Sequence, residues 1–248
     1  MSLFGLNTSN PAFTNYFWNR SNAKQTHNKM TLSGVILKSI FCLILVTLSA
    51  AYTWKLFFDG ADIQWYTTGG IIVALVCSIV ISVRREWTMP LTLIYAIAKG
   101  LFVGGFSAYI HKTFPYLPFQ AVIVTLITFL VMLLFYMTGI IKVTKKFRSI
   151  VITVISVIFL IYITAFILRF FDIHFSFLWD SSWYAIAFNV VVAIFASLSL
   201  LLDFDFMDRY IGRAKKQYEW FATWGLLVTI IWLYVEVLRL LKKLAIRF

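Results

Sequence analysis

Long apolar runs separated by short polar or charged segments make up most of this chain, and seven of the runs are long enough to cross a lipid bilayer. We predict spans at about 34–57, 67–83, 90–110, 119–141, 149–171, 183–206 and 220–241. A helix needs about 20 apolar residues to cross the hydrocarbon core, whereas a membrane barrel shows short alternating segments. The pattern therefore predicts an all-α fold, a polytopic membrane protein built as a seven-helix transmembrane bundle.

The chain divides into two regions of different polarity. Residues 1–29 are polar and basic and contain no Asp or Glu, so we predict a short cytoplasmic arm there. Residues 30–248 contain all seven predicted spans and form the transmembrane domain. The first apolar run is too long for the core of a signal peptide, so we expect it to remain as a spanning helix.

Composition excludes a soluble domain and changes how the charge is interpreted. Apolar residues make up 61% of the chain and charged residues 13%, which leaves no surface compatible with water. The net charge of +12 suggests nucleic acid at first sight. The Lys and Arg residues lie at the ends of apolar runs, where membrane orientation and anionic lipid account for them. We therefore expect the lipid bilayer as a partner and no nucleic acid.

The distribution of basic residues predicts the orientation. An amino terminus inside the cell places Arg84, Arg85, the cluster at 142–148 and the link at 209–216 on the cytoplasmic side, as the positive-inside rule requires. An odd number of spans leaves the basic tail at 242–247 outside. A re-entrant last helix with an internal tail therefore stays open as an alternative.

Acidic residues at the end of the sixth span are the first candidates for function. Asp203 and Asp205 follow directly on an apolar run, and a charge deep in the membrane costs about 2.5–3.5 kcal/mol on insertion scales. One interpretation is a cation or proton site in which protonation is coupled to opening. The other is an ordinary interfacial helix end, with its acids solvated or paired with Arg209 and Arg213.

Further charged and polar residues lie inside the other spans. Glu236 and Arg239 are three residues apart on one helix face, which favours a local ion pair. Lys99 lies about 14 Å into the third span and is expected to be the counter-ion of Glu236 or of an inner acid. Asn189 predicts an interhelical hydrogen bond. Glu219 heads the last span, where a carboxylate suits the positive end of the helix dipole.

Several sequence blocks resemble the bacterial branch of the Bax inhibitor-1-like membrane proteins, which carry the transmembrane Bax-inhibitor motif. The resemblance covers nearly the whole chain and is most specific in its last two blocks. The blocks are NPAF at 10–13, MTLSGV at 30–35, AAYTW at 50–54, YMTGIIKVT at 136–144, LLLDFD at 200–205 and EWFATWGLLVTIIWLYVEVLRLL at 219–241.

The resemblance implies a seven-helix bundle with the last helix near its centre. It also implies a pH-sensitive calcium leak gated by one acid on the sixth helix and one on the seventh, helped by an arginine. Asp203 matches the sixth-helix acid and so becomes the candidate calcium contact, with calcium as the transported ion and no other cofactor. On the seventh helix the alignment leaves Glu236 and Thr229 as alternatives.

Two features of this chain bear on that expectation. Thr229 and Glu236 stand about 15 Å and 25 Å above the start of the last helix, so Asp203, near the inner face, would meet Glu236 only if a helix shifted. Lys99 stands where the resemblance implies a glutamate. An ammonium group in the middle of the bundle would repel a divalent cation.

Two functions from different classes follow for a protein of the bacterial inner membrane. The first is an acid-gated calcium, proton or cation leak, with Asp203, Asp205, Glu236 and Thr229 as sensing residues and Lys99 and Arg239 as charge partners. The second is a non-conducting stress-response protein that modulates another membrane protein, such as a quality-control protease. We expect no enzyme, because the chain has no HExxH zinc motif, no nucleophile elbow and no paired YD and GxGD.

Overall fold

The structure is a computed structural model that describes residues 29–169, 171, 178 and 180–247. The described residues contain seven long α-helices. These are α1 (Leu32–Phe58), α2 (Gln64–Val83), α3 (Thr88–Thr113), α4 (Leu117–Thr138), α5 (Lys145–Arg169), α6 (Trp183–Tyr210) and α7 (Tyr218–Arg247), with a 3-10 turn at Arg85–Trp87 between α2 and α3. All seven are long and apolar enough to cross a membrane, which confirms the predicted fold class.

The helix ends follow local chemistry and differ slightly from the predicted bounds. The Thr31 hydroxyl accepts a hydrogen bond from the Gly34 amide at 3.1 Å and caps α1, which is how Ser182 also caps α6. The helix α4 ends at Thr138, three residues before the predicted bound, because Gly139 takes a left-handed φ of 69°. The predicted arm at 1–29 lies outside the described residues apart from Lys29, as does the block at 10–13.

The last helix, α7, is the centre of the bundle. Within its most apolar 18-residue window 89% of the residues are buried, against 11% for α4 and for α5. It packs against α1, α3, α4 and α6. A helix surrounded on all sides has no lipid-facing stripe, so its polar side chains must find partners on the neighbouring helices. The expectation of a central last helix is therefore confirmed.

Contacts between helices establish their directions. The pairs Asp203 with Thr229 and Asn189 with Lys243 make α6 and α7 antiparallel. The pairs Tyr95 with Trp224 and Ser107 with Tyr234 make α3 and α7 parallel. The α6–α7 link therefore lies at the same end of the bundle as the starts of α1, α3 and α5. This end is named the basic end. It carries the exposed residues Arg84, Lys142, Lys145, Lys146, Arg209, Arg213, Lys215 and Lys216.

The basic tail belongs to α7 and lies at the far end of the bundle, opposite the basic end. The helix α7 runs unbroken for 30 residues, about 45 Å, and the Arg247 guanidinium donates to the Ser181 carbonyl at 3.1 Å. Arg247 also lies over the Trp183 ring at 4.2 Å. Ser181 and Trp183 mark the start of α6, so the alternative of a re-entrant last helix is wrong.

Glycines allow α3 to approach α1 and α2 closely. A Cβ atom at Gly100 would lie 2.4 Å from the Val46 carbonyl oxygen of α1, and one at Gly70 would lie 2.5 Å from the Ala98 carbonyl oxygen of α3. Small residues at such crossings let helix backbones pack without side chains between them. The three helices form a closely packed wall on one side of α7.

Gly70 and its neighbour Gly69 test this packing. We expect Gly70→Ala to destabilise the protein by about 1–3 kcal/mol, because the new methyl group meets backbone atoms that cannot rotate away. Gly69→Ala is the matched control, since a Cβ there meets nothing within 4 Å. It should be neutral or stabilising by up to about 1 kcal/mol. Thermal unfolding in detergent micelles measures both, and equal behaviour of the two variants would contradict the close approach.

Candidate functional site

Three polar sites lie along α7 at different depths. At 1.5 Å per residue, Glu219 lies at the basic end, Thr229 about 16 Å above the start of the helix, and Glu236 about 27 Å above it. Each of the three side chains is buried. Each contacts a different set of helices, so the sites are considered separately.

Asp203 and Thr229 form the middle site. The Asp203 side chain is 0% exposed although it lies only seven residues before the end of α6. The Thr229 hydroxyl donates to Asp203 Oδ2 at 2.5 Å. Of the two alternatives on the last helix, Thr229 is therefore the residue that meets Asp203. No hydrogen bond or ion pair joins Asp203 to Glu236, in agreement with the helix arithmetic.

Asp205 is tied to arginines at the basic end. Its carboxylate forms ion pairs with Arg148 at the start of α5 and with Arg209, one turn further along α6 at 3.1 Å. The expected pairing with Arg209 is formed, whereas Arg213 is replaced by Arg148. Asp208, which is exposed, accepts a hydrogen bond from the Tyr136 hydroxyl at 3.3 Å. Asp205 thus anchors α5 to α6, and its sensing role stays a prediction.

Glu236 is the centre of a buried polar network in the outer half of the bundle. Its side chain is 1% exposed and pairs with Arg239 at 3.2 Å, as the spacing predicted. The Tyr162 hydroxyl of α5 lies 3.2 Å from both carboxylate oxygens, and the Trp232 indole donates at 3.3 Å. A third neutral donor is Asn189 at 3.4 Å. These contacts satisfy the carboxylate within the protein.

Asn189 joins this network to a second cation. Its amide oxygen accepts a hydrogen bond from the Lys243 ammonium at 2.6 Å while its amide nitrogen donates to Glu236. The predicted interhelical hydrogen bond of Asn189 is therefore confirmed. The network contains two cations, Arg239 and Lys243, and one carboxylate, of which only Arg239 pairs directly with Glu236, so its net charge is positive.

Lys99 does not contact Glu236. Its ammonium lies over two aromatic rings of its own helix, 5.8 Å from the Tyr95 centroid and 5.4 Å from the Phe102 centroid. Within the described part of the chain it makes no ion pair. The expectation that Lys99 is the counter-ion of Glu236 is wrong, because Arg239, on the same helix face as Glu236, forms the ion pair with that carboxylate.

Glu219 does more than favour the helix dipole. It is fully buried, pairs with the Lys38 ammonium of α1, and accepts hydrogen bonds from the Thr31 amide at 2.9 Å and the Thr31 hydroxyl at 3.0 Å. Its carboxylate occupies the space where a Cβ of Gly34 would stand. This ion pair joins the start of α1 to the start of α7, and the interpretation of Glu219 as only a cap was incomplete.

Two backbone hydrogen bonds extend the contact between the start of α1 and the segment before α7. The Met30 amide donates to the Ala214 carbonyl at 2.8 Å, and the Gly212 amide donates to the Met30 carbonyl at 2.9 Å. Met30 is 1% exposed. Sequence analysis missed the hydrogen bonds of Met30 and the Lys38–Glu219 pair because the partners lie about 180 residues apart in the chain. The available signals were a lysine inside the first span and a glycine four residues before it.

A metal cluster is not formed by the residues that the structure describes. They contain no group of three or more His, Cys, Asp and Glu side chains that could hold a metal ion. Asp203 stands with a threonine in place of a second acid. The expectation of a cation contact at Asp203 stays a prediction, with calcium as cargo.

The Lys38–Glu219 pair yields a stability prediction. Lys38→Met leaves a buried carboxylate without its cation, which costs about 3–5 kcal/mol. The double variant Lys38→Met with Glu219→Gln should recover a large part of this loss, while Lys55→Met, at an exposed lysine of the same helix, should change little. Thermal unfolding in detergent measures all three. A Lys38→Met variant as stable as the wild type would contradict the pair.

The hydrogen bond from the Tyr162 hydroxyl to Glu236 yields a second stability prediction. Tyr162→Phe removes a hydrogen bond to a charged acceptor, and the expected loss is about 1.5–3 kcal/mol in the free energy of unfolding. Tyr116→Phe is the control, because the Tyr116 ring is exposed. If both variants unfold together with the wild type, α5 is not held by this contact.

Comparison with known proteins identifies the family to which this chain belongs. A family model described as Bax inhibitor 1 like matches residues 10–246. No curated protein and no solved structure matches the chain. Since the family match covers nearly the whole chain and the seven helices agree with it, this protein belongs to the Bax inhibitor 1 like family of membrane proteins.

Proposed function

We propose that this protein is an acid-responsive calcium, proton or cation leak in which Asp203 is the residue whose protonation changes the packing of α6 against α7. The observation that carries the proposal is the complete burial of Asp203 together with its 2.5 Å contact to Thr229. An acid inside a membrane bundle is a functional candidate by default because its charge is expensive there.

The contact between Asp203 and Thr229 gives protonation a structural effect. An ionised carboxylate accepts a stronger hydrogen bond than a neutral acid does. Protonation of Asp203 at acidic pH therefore weakens its hydrogen bond to Thr229, which holds α6 against α7. Because α7 packs against four helices, a change at this point reaches most of the bundle.

The other sensing candidates take supporting roles in this proposal. Asp205, paired with two arginines, fixes the ends of α5 and α6. Glu236 and Arg239 hold α5 and α6 to the outer half of α7. The basic end, where α1 begins, faces the cytoplasm of a bacterial cell, in accordance with the positive-inside rule.

Calcium flux from proteoliposomes tests the proposal. Purified protein in vesicles with an enclosed calcium indicator should leak faster at pH 6 than at pH 8. Asp203→Asn removes the ionisable group, so its leak should become independent of pH. The matched control is Asp208→Asn, which changes an exposed acid one turn and one residue further along α6 and should keep the wild-type response.

Two results would count against the proposal in different ways. A pH response that survives in Asp203→Asn places the sensor elsewhere. Vesicles that contain folded wild-type protein and stay tight to calcium and protons at both pH values favour the other class, a non-conducting protein that modulates another membrane protein.

A further inference from the structure

Lys99 is half-buried and lies on the face of α3 that is turned towards α7. The surface of α3 is divided among its neighbours: Gly100 faces α1, Gly105 faces α2, and Tyr95 and Ser107 contact α7. At about 100° per residue, Lys99 lies about 40° from Tyr95 and about 80° from Ser107, between the two. Its side chain therefore leaves the helix on the side that faces α7.

The environment of Lys99 lacks an acid. Glu236 is occupied by Arg239, and among the described residues no carboxylate forms an ion pair with Lys99. The rings of Tyr95 and Phe102 attract the ammonium through their faces, yet such contacts supply neither a hydrogen bond nor a full negative charge. A charge taken out of water needs hydrogen bonds or a counter-ion as well.

A second unsatisfied donor lies next to the same tyrosine. The Trp224 side chain is 0% exposed, and its indole nitrogen Nε1 has no hydrogen-bond partner among the described residues. The Trp224 ring packs edge-on against the Tyr95 ring at 6.4 Å. Buried polar groups are nearly always paired, so an orphaned N–H indicates a missing acceptor.

The register of the two helices brings these donors together. Tyr95 contacts Trp224 and Ser107 contacts Tyr234, which sets Lys99 opposite positions 227–228, one turn above Trp224. The Lys99 ammonium lies between two rings of α3, 5.8 Å from the Tyr95 centroid on its amino-terminal side and 5.4 Å from the Phe102 centroid on its carboxyl-terminal side. Lys99 and Trp224 therefore both border the Tyr95 ring.

We propose that Lys99, Tyr95 and Trp224 form a binding site for a small monovalent anion such as chloride between α3 and α7. The Lys ammonium and the Trp indole N–H can only donate hydrogen bonds, and an anion can accept them. One negative charge balances the single ammonium, whereas a divalent anion would leave an uncompensated charge among the apolar residues Leu227 and Val228.

This site does not rest on the proposed leak, because anion binding is measured without ion flux. It has a consequence for the leak nonetheless. Positions 227–228 lie at nearly the depth of Thr229, so a bound anion lowers the positive potential of Lys99 at the depth of Asp203.

Thermal unfolding in different sodium salts tests the site. At equal ionic strength, chloride and bromide should raise the unfolding midpoint of the purified protein in a saturable way, while the bulky gluconate ion should not. Lys99→Met should abolish the difference between the salts. Lys112→Met, at an exposed lysine near the end of the same helix, is the matched control and should keep it.

A second variant covers the case in which Lys99→Met fails to fold. Trp224→Phe removes the indole N–H and keeps an aromatic ring, so it should weaken the chloride effect by raising the concentration at half saturation. In crystals grown with bromide, an anomalous peak beside Tyr95 is expected. Equal midpoints in chloride and gluconate, or an unchanged chloride effect in Lys99→Met or in Trp224→Phe, would overturn the proposal.

Discussion

The structure depends on the burial of α7 on all sides. An outer helix can turn part of its surface towards lipid, but a central helix is in contact with other helices on every side. Each charge on α7 must instead be matched by a group on another helix or on its own face. The hydrogen bonds and ion pairs of α7 therefore determine where α1, α5 and α6 are placed.

The polar contacts between α7 and its neighbours differ in charge along the helix. At the basic end Glu219 meets a full positive charge and two donors from one neighbour, α1. In the middle Asp203 meets a neutral hydroxyl. In the outer half Glu236 meets a guanidinium and neutral donors from α5 and α6. The contact between Asp203 and Thr229 therefore joins a buried carboxylate to a neutral hydroxyl, whereas the contacts of Glu219 and Glu236 each include an ion pair.

The sequence predicts the helices well and the contacts unevenly. Seven spans follow from the length of the apolar runs, and the Glu236–Arg239 pair follows from helix periodicity, because both are local properties. The pairs Lys38–Glu219 and Asp203–Thr229 join distant segments, so only the packing of helices reveals them. The Lys99 expectation failed for the same reason: a lysine in the middle of a spanning helix indicates that a counter-charge is needed, but not which residue or ligand supplies it.

The central place of α7 also has a consequence for biosynthesis. The helix that fills the core leaves the ribosome after the other six, so those six helices are synthesised before the element that they surround exists. Until then Lys38, Asp203 and Tyr162 lack the partners that α7 supplies to them. A nascent chain stopped before residue 218 would contain these polar groups without the partners that α7 supplies, so the first six helices cannot complete their polar contacts on their own.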